Sequence, residues 1–245
     1  MDSLDLVSPY LFKHKGSNFL VKDKMQPEDL DALQYFEIRS TDVFLISYPK
    51  SGTAWMQQIL VQIMDAAHPE QAEDVSNRLR VPWLEERSAD NPLRERPDPR
   101  IFGTHLPPDM LPLGVKAKQI KAVYVWRNPK DVLVSFYHFA HSWVLLETPT
   151  SFEDFFQQFL DGKDLMDDTI DHVVKMSTFK SMKTNPNANY KDLVEKGRYL
   201  GETMRKGVAG DWKNYFTVAQ NERFDEVLKY KMSNFPLPLT WEINQ

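Results

Sequence analysis

Lys50, Ser51, Gly52 and Thr53 put one ammonium, two hydroxyls and a glycine into four consecutive positions, inside the run VFLISYPKSGTAWMQQILVQIMD. Those groups suit a phosphate, provided the backbone turns so that its N–H groups converge on it. Three further sites carry chemistry-bearing side chains. His105 closes a short apolar run, Arg127 closes another, and Arg205 and Lys206 stand beside Gly207. An imidazole is suited to general-base work near neutral pH. A doubly basic pair beside a glycine makes a second anion clamp, since glycine permits close backbone approach. Each feature has a plainer reading. The lysine can be solvated in an ordinary strand–helix connection, the histidine can be structural, and Arg127 can pair with an acidic neighbour. The basic pair can be surface.

The elements that must hold these residues read as α/β. Val43 to Tyr48 is a short apolar, β-branched and aromatic run, the pattern of a buried parallel strand. Pro49 ends it, because proline lacks the N–H a ladder needs. From Trp55 onward Met56, Ile59, Leu60, Ile63 and Met64 fall at the spacing of one helix face. A strand–turn–helix of this kind aims backbone N–H groups and a helix dipole at one point. The common nucleotide loop GxxxxGK[ST] is absent, because the glycine follows the lysine and none precedes it, which disfavours an ordinary ATP or GTP enzyme. Ile101 to Thr104 is a second strand with His105 at its carboxyl end, where ligands sit in open α/β sheets. Ala122 to Trp126 is a third, followed by Arg127, a good N-cap in Asn128 and Pro129 at the first helical position. That helix carries Val132, Leu133, Phe136 and Phe139 inward and puts Ser135 on the side of Arg127.

Elsewhere the spacing is less informative. Residues 1–42 read as an approach segment with Tyr10, Phe12, Phe19, Leu20 and Val21 as anchors. A short helix near Pro27 follows, with Leu30, Leu33 and Tyr35 on one side. Asp65 to Arg100 reads as surface loop and short helix, with Val81 to Leu84 a lone apolar insertion in which Trp83 is a loop anchor or a substrate contact. Phe152, Phe155, Phe156 and Phe159 line an amphipathic helix over Ser151 to Leu160. A helix is expected from Asp164 to Lys180, a loop from Asn185 to Asn189, and a helix and proline-containing tail at the end. The expected architecture is one α/β domain over residues 1–245, a central parallel sheet flanked by helices with a phosphate loop at its centre.

A length of 245 residues suits one such large domain, or two small ones. The formal charge of −5 gives no reason to expect nucleic acid as a partner. With no cysteine, disulfide scaffolds and thiolate metal sites are excluded and a reducing compartment fits. The amino-terminal stretch has no apolar core of a signal peptide, and Val132 to Leu146 is too short for a membrane span and broken by His138 and His141. A soluble, cytoplasmic protein is the expectation.

The segments YPKSGTAW, THLP, RNPKDVLVSFYHF, TFKSMKTNP and RKGVAGDWKN occur in the order of the signature segments of the cytosolic sulfotransferases, which the chain resembles from about residue 8 to its end. That resemblance implies transfer of a sulfonate group from 3′-phosphoadenosine 5′-phosphosulfate (PAPS, leaving PAP) to a hydroxyl or amine of a phenol, alcohol, steroid or amine, by in-line displacement and without a metal. It implies that Lys50, Ser51, Gly52, Thr53 and Ala54 cradle the 5′ end, and that Arg127, Ser135, Arg205, Lys206 and Gly207 hold the 3′-phosphate. Trp55 and Phe179 match positions that sandwich adenine, and Ser177 matches a base contact. His105 matches the general base, and Lys50 would offset charge on the leaving group. Trp83, Phe136 and Phe139 are acceptor-pocket candidates or core. Lys213, Thr217, Val218 and Glu222 fit KxxxTVxxxE, a homodimer segment of the family. The end PLTWEIN is somewhat like members that sulfonate amines.

Two departures stand out. Gly103 occupies the place of a family lysine, which removes a cation near the acceptor and permits close approach in the strand. After FFQQFLDGK, residues 155–163, the family carries a stretch with another parallel strand, a helix and a tyrosine near the 3′-phosphate site. Here Lys163 joins straight to Asp164. A shortened form follows, and with it a rival reading: a catalytically weak or silent isoform that binds nucleotide or pairs with a full-length subunit. A nucleotide-kinase reading lacks both the glycine-rich loop and an obvious acidic metal ligand.

Overall fold

Strand β4, Val43–Ser47, is the centre of a three-stranded parallel sheet, with β5, Ile101–Thr104, on one side and β6, Lys121–Val125, on the other. The computed structural model describes residues 6–9, 11–21, 26–86, 92–117, 120–162, 186, 190–200 and 205–233. Alternation along the strands feeds two cores. Phe44 and Phe102 pack on one face, and Leu45 and Ile101 on the other. Because β4 pairs with β6 over five residues, from Val43↔Lys121 to Ser47↔Val125, no hole separates them. Among the described residues no strand covers the other edge of β6, where Tyr124 and Trp126 are exposed.

Residues 82–84 run along the free edge of β5. The Leu84 N–H donates to the Gly103 carbonyl at 2.9 Å and the Gly103 N–H to the Pro82 carbonyl at 3.0 Å. Val81, Trp83 and Leu84 are therefore buried core, which corrects their reading as an insertion in surface loop. The approach segment is also more ordered than its sequence suggests. It forms an antiparallel meander, β1 (Leu6–Ser8), β2 (Leu11–His14) and β3 (Ser17–Leu20), whose second turn is made by Lys15 and Gly16 at positive φ. Phe12 and Phe19 pack with Leu30 and Leu33, on and just after α1 (Pro27–Ala32), whereas Val21 and Tyr35 are exposed.

Helix α2, Thr53–Ala67, buries Ala54, Gln57, Gln58, Leu60 and Val61, while Ile63 is 57% exposed. The face is rotated from the one the apolar spacing marks because both glutamine amides find partners inside. The Gln57 carbonyl oxygen accepts from the Tyr190 hydroxyl at 2.7 Å and its nitrogen donates to the Val81 carbonyl at 3.3 Å; Gln58 accepts from Asn77 at 2.7 Å. Asn77 opens α3, Asn77–Arg80; α4 is Leu113–Ala117. Helix α5, Pro129–Ser142, starts as its sequence reads, with the Asn128 side chain accepting from the Lys130 N–H at 2.9 Å. Helices α6 (Phe152–Leu160), α7 (Lys191–Glu195) and α8 (Val218–Lys231) pack against it through Phe155, Phe156, Leu193 and Phe224.

At the amino ends of the strands, Arg100 and Asp42 form a fully buried pair, Nε to Oδ1 at 2.8 Å and Nη2 to Oδ2 at 2.7 Å, with the guanidinium against the rings of both Phe36 and Phe102. The expected helix over 164–180, all of the 185–189 loop but residue 186, and the PLTWEIN end lie outside the described residues. No described helix is long and apolar enough to cross a membrane.

Candidate functional site

The turn after β4 is built on two left-handed backbone positions, Lys50 at φ 65° and Gly52 at φ 110°. Gly52 needs its glycine for that conformation rather than for space, since a Cβ there would lie 3.8 Å from the nearest side-chain atom. Lys50 holds a conformation that costs a non-glycine residue about 1 kcal/mol or more. The Ser51 N–H turns back to the Tyr48 carbonyl at 3.1 Å, and Arg127 Nη1 donates to the Lys50 carbonyl at 3.1 Å. Gly52 is the N-cap of α2 and brings no side-chain cap, so the first N–H groups and the positive dipole end of a 15-residue helix open on this turn. The Lys50 ammonium lies 4.2 Å from the centroid of the Phe139 ring on α5.

His105 follows the last residue of β5. Its Nδ1 bonds to the Ser47 carbonyl, with the Ser47 hydroxyl 3.3 Å away. A carbonyl only accepts, so Nδ1 carries the proton and Nε2 is the basic nitrogen. Ser47 Oγ is in turn 2.7 Å from Thr53 Oγ1, which ties the imidazole to the first residue of α2. The ring packs against Trp83, with centroids 4.5 Å apart and planes tilted by 34°. Burial pushes His105 down to about 3, the Ser47 bond opposes this, and the Lys50 charge adds to it. The imidazole is therefore neutral at physiological pH, with Nε2 unprotonated, though a nitrogen held this low is a weak base until its surroundings change.

A second basic group is held from α5. The Asp131 carboxylate accepts from the Gly210 N–H at 2.8 Å and the Trp212 N–H at 3.2 Å, anchoring the stretch that carries Arg205 and Lys206. Both cations meet Asp211, at 2.5 Å and 2.8 Å, and Gly207 beside them has φ 68°. Burial would raise the Asp211 carboxyl, but bonds from Lys206, Asn214 and Arg205 bring it down to about 2. Burial also lowers Arg127 from its ordinary value, with Asp131 and Asp211 opposing this and the Arg205 charge adding to it.

Lys50, Ser51, Thr53, His105 and Arg127 thus share the carboxyl end of the sheet, and the Arg205–Lys206 stretch is tied to the start of α5 beside them. Ala54 is buried in the first turn of α2 and Trp55 beside it is 52% exposed; Ser135 is half-buried on α5. Ser177 and Phe179 lie outside the described residues. Of the acceptor-pocket candidates, Phe136 has no solvent-accessible surface and packs on Phe139 and Phe155, which is core; Trp83 covers His105 and Phe139 supports Lys50. At Gly103 an added Cβ would lie 3.4 Å from both Gln57 and Trp83, so the glycine lets Trp83 lie close. Lys213, Thr217, Val218 and Glu222 are all exposed, with Thr217 the N-cap of α8. Spacing alone missed Ser47, Glu85, Asp131 and Asp211. Asp131 reads as a helix first-turn acid and Glu85 as one of two adjacent surface glutamates. Among the described residues no cluster of three or more His, Asp or Glu side chains is placed to hold a metal ion.

This geometry can take an anion at the Lys50 turn, a second at Arg205 and Lys206, and a proton at His105. A family model described as "Sulfotransferase domain" matches residues 40–174 and again 162–236. Rabbit (Oryctolagus cuniculus) "Amine sulfotransferase" is 36% identical over 292 residues, 98% of this chain and 97% of the relative, a length 47 greater than the 245 residues here. Guinea pig (Cavia porcellus) "3-beta-hydroxysteroid sulfotransferase" is 31% identical over 96% of this chain and 93% of its own. Among solved structures, mouse sulfotransferase SULT7A1 complexed with PAP superposes with TM-score 0.71 at 27% identity, covering 93% of this chain and 96% of that one. A retinol dehydratase structure shares the fold at TM-score 0.71 and 21% identity, covering 87% of each chain.

Proposed function

The chain belongs to the sulfotransferase family, and on that premise we propose that it transfers a sulfonate group from PAPS to the hydroxyl or amine of a small acceptor, with His105 as general base. The residues present fit such a nucleotide. It carries anions at both ends, and Arg127 bonds to the turn of one basic group while feeling the charge of Arg205 in the other. Lys50, Ser51, Gly52, Thr53 and Ala54 would hold the 5′ end at the amino terminus of α2. Arg127, Ser135, Arg205, Lys206 and Gly207 would hold the 3′-phosphate, with Trp55, Phe179 and Ser177 at the base. When bound, the nucleotide supplies the sulfonate group already activated by its bond to phosphate.

His105 accepts the acceptor's proton at Nε2, its Nδ1–H being fixed on the Ser47 carbonyl. Lys50 faces the negative charge that transfer leaves behind, a stabilisation needed most in the transition state. Trp83, buried behind His105 and packed on its ring, would back the imidazole on the acceptor side. The single observation that carries the reading is the hydrogen bond from Arg127 to the Lys50 carbonyl, because it joins the two anion clamps within reach of one nucleotide. The names of the relatives favour amine or steroid-alcohol acceptors over other small molecules. The exposed Lys213, Thr217, Val218 and Glu222 are offered as a homodimer contact, and the cytoplasm as the location.

The rival, a silent shortened isoform that still binds nucleotide, is favoured by three observations. The outer edge of β6 is bare among the described residues, the family match falls in two pieces overlapping at 162–174, and the rabbit relative aligns over more residues than this chain has. Incubation of purified protein with labelled PAPS and a panel of amines, steroids, phenols and alcohols separates the two. The proposal expects transfer above blank and thermal stabilisation by PAP. Stabilisation without transfer leaves the silent isoform, and neither result rejects both.

A further inference from the structure

Three consecutive residues at the end of β5 hang on one carboxylate. Glu85 Oε1 accepts from the His105 N–H at 2.8 Å and Oε2 from the Thr104 hydroxyl at 2.9 Å, while Thr104 Oγ1 accepts from the Leu106 N–H at 3.1 Å. Glu85 is buried, and it is set in place by the preceding residues 82–84, which bond along the edge of β5. The sheet ladder stops at Thr104, so the His105 N–H needs an acceptor from outside the sheet. The carboxylate supplies it.

We propose that Glu85 is a positioning residue for His105. The main chain of residue 105 is held by Glu85, Nδ1 by the Ser47 carbonyl and the ring face by Trp83. Three holds of different kind on one residue fix both the ring orientation and the nitrogen that keeps its proton. Without the carboxylate, the chain at 105 is free to follow Pro107 and Pro108 away from the sheet, and the Nδ1 bond to Ser47 loosens with it. Glu85 touches no reacting atom in this scheme. Its effect passes through the tautomer and placement of the imidazole.

The function of this device rests on the sulfotransferase reading, but its test does not. Ring-nitrogen NMR of His105 in the free protein reports the tautomer directly. The wild type is expected to show protonation at Nδ1 alone. Glu85→Ala is expected to show a mixture of tautomers, and Glu85→Gln, which keeps a carbonyl oxygen for the His105 N–H, to resemble the wild type. In turnover assays Glu85→Ala should lower kcat by about a hundredfold, the effect of misplacing a catalytic group by about 1 Å, with acceptor KM nearly unchanged. If Glu85→Ala does not fold, Glu85→Asp withdraws the carboxylate by one methylene and is expected to give the same tautomer mixture. An unaltered tautomer in both Ala and Asp variants overturns the proposal, as does a Gln variant that falls as far as Ala. A wild type with the expected tautomer but no transfer counts against the enzyme reading alone.

Discussion

The ammonium of Lys50 rests over the face of Phe139, 4.2 Å from the ring centroid. This contact crosses from the phosphate turn to α5 and fixes the direction of the one lysine assigned both to binding and to charge stabilisation. Phe139 also packs on Phe136, Trp143 and Tyr199, so its core and site roles coincide. Phe139→Leu keeps most of the volume and removes the π-face. Titration calorimetry with PAP should show affinity weaker by about five- to tenfold, in line with a cation–π contact of about 1 kcal/mol. Unchanged affinity would mean that the ring does not orient the lysine.

Asp211 is the shared counter-ion of Arg205 and Lys206 in the free protein, leaving one net positive charge there. Asp211→Asn removes that counter-ion and leaves two cations together. Because both are partly exposed, the stability loss should be modest, about 1–2 kcal/mol by denaturant titration. The carboxyl is held at about 2 against an ordinary 3.8, so its stabilisation is present above pH 3.8 and lost as pH falls towards 2. The Asn variant should lack that acid loss, and a variant as acid-sensitive as the wild type would remove Asp211 from the account.

His105 and Glu85 make opposite contributions to the pH dependence of stability. His105, depressed from 6.5 to about 3, gives stability that is present above pH 6.5 and lost as pH falls towards 3. Glu85, raised by burial from 4.5 to about 7, gives stability that is present below pH 4.5 and lost as pH rises through 7. Between pH 4.5 and 6.5 the two slopes oppose each other. His105→Gln deletes the first, so acidification through that window should stabilise the variant relative to the wild type. Parallel profiles from urea melts would contradict the buried, neutral imidazole.

The Arg100–Asp42 pair sits at the opposite end of the strands from the site. Asp42→Ala leaves a fully buried guanidinium without its carboxylate and should cost about 3–5 kcal/mol in urea melts. PAP affinity of the folded fraction should be unchanged. A coupled loss of affinity would mean that the strand bases and the phosphate turn are not independent.

The parts of the site legible in the sequence are those in which chemistry and chain punctuation coincide. Lys50 to Thr53 follow an apolar strand stopped by Pro49, His105 precedes a double proline, and Arg127 precedes an N-cap and a first-turn proline. What stayed hidden depends on partners distant in the chain. Gln57 and Gln58 count as polar in any periodicity, yet Tyr190 and Asn77 let them be buried, and the inward face of α2 turns accordingly. Trp83 reads as a loop residue because the strand edge it covers begins nearly twenty residues later, at Ile101. Asp211 resembles any acid near two bases until their side chains are seen to converge on it. The amino-terminal meander escaped because its strands are only three and four residues long.

The proposed function requires one nucleotide to be gripped at both ends, and calorimetry with PAP and with 5′-AMP, which lacks the 3′-phosphate, tests this most directly. The wild type should prefer PAP by at least about tenfold, about 1.4 kcal/mol for the added phosphate. The double variant Arg205→Ala, Lys206→Ala should lose most of that preference, Arg127 and Ser135 keeping the remainder, while still binding 5′-AMP. Absence of PAP binding to the wild type, or a preference undiminished by the double substitution, would contradict it.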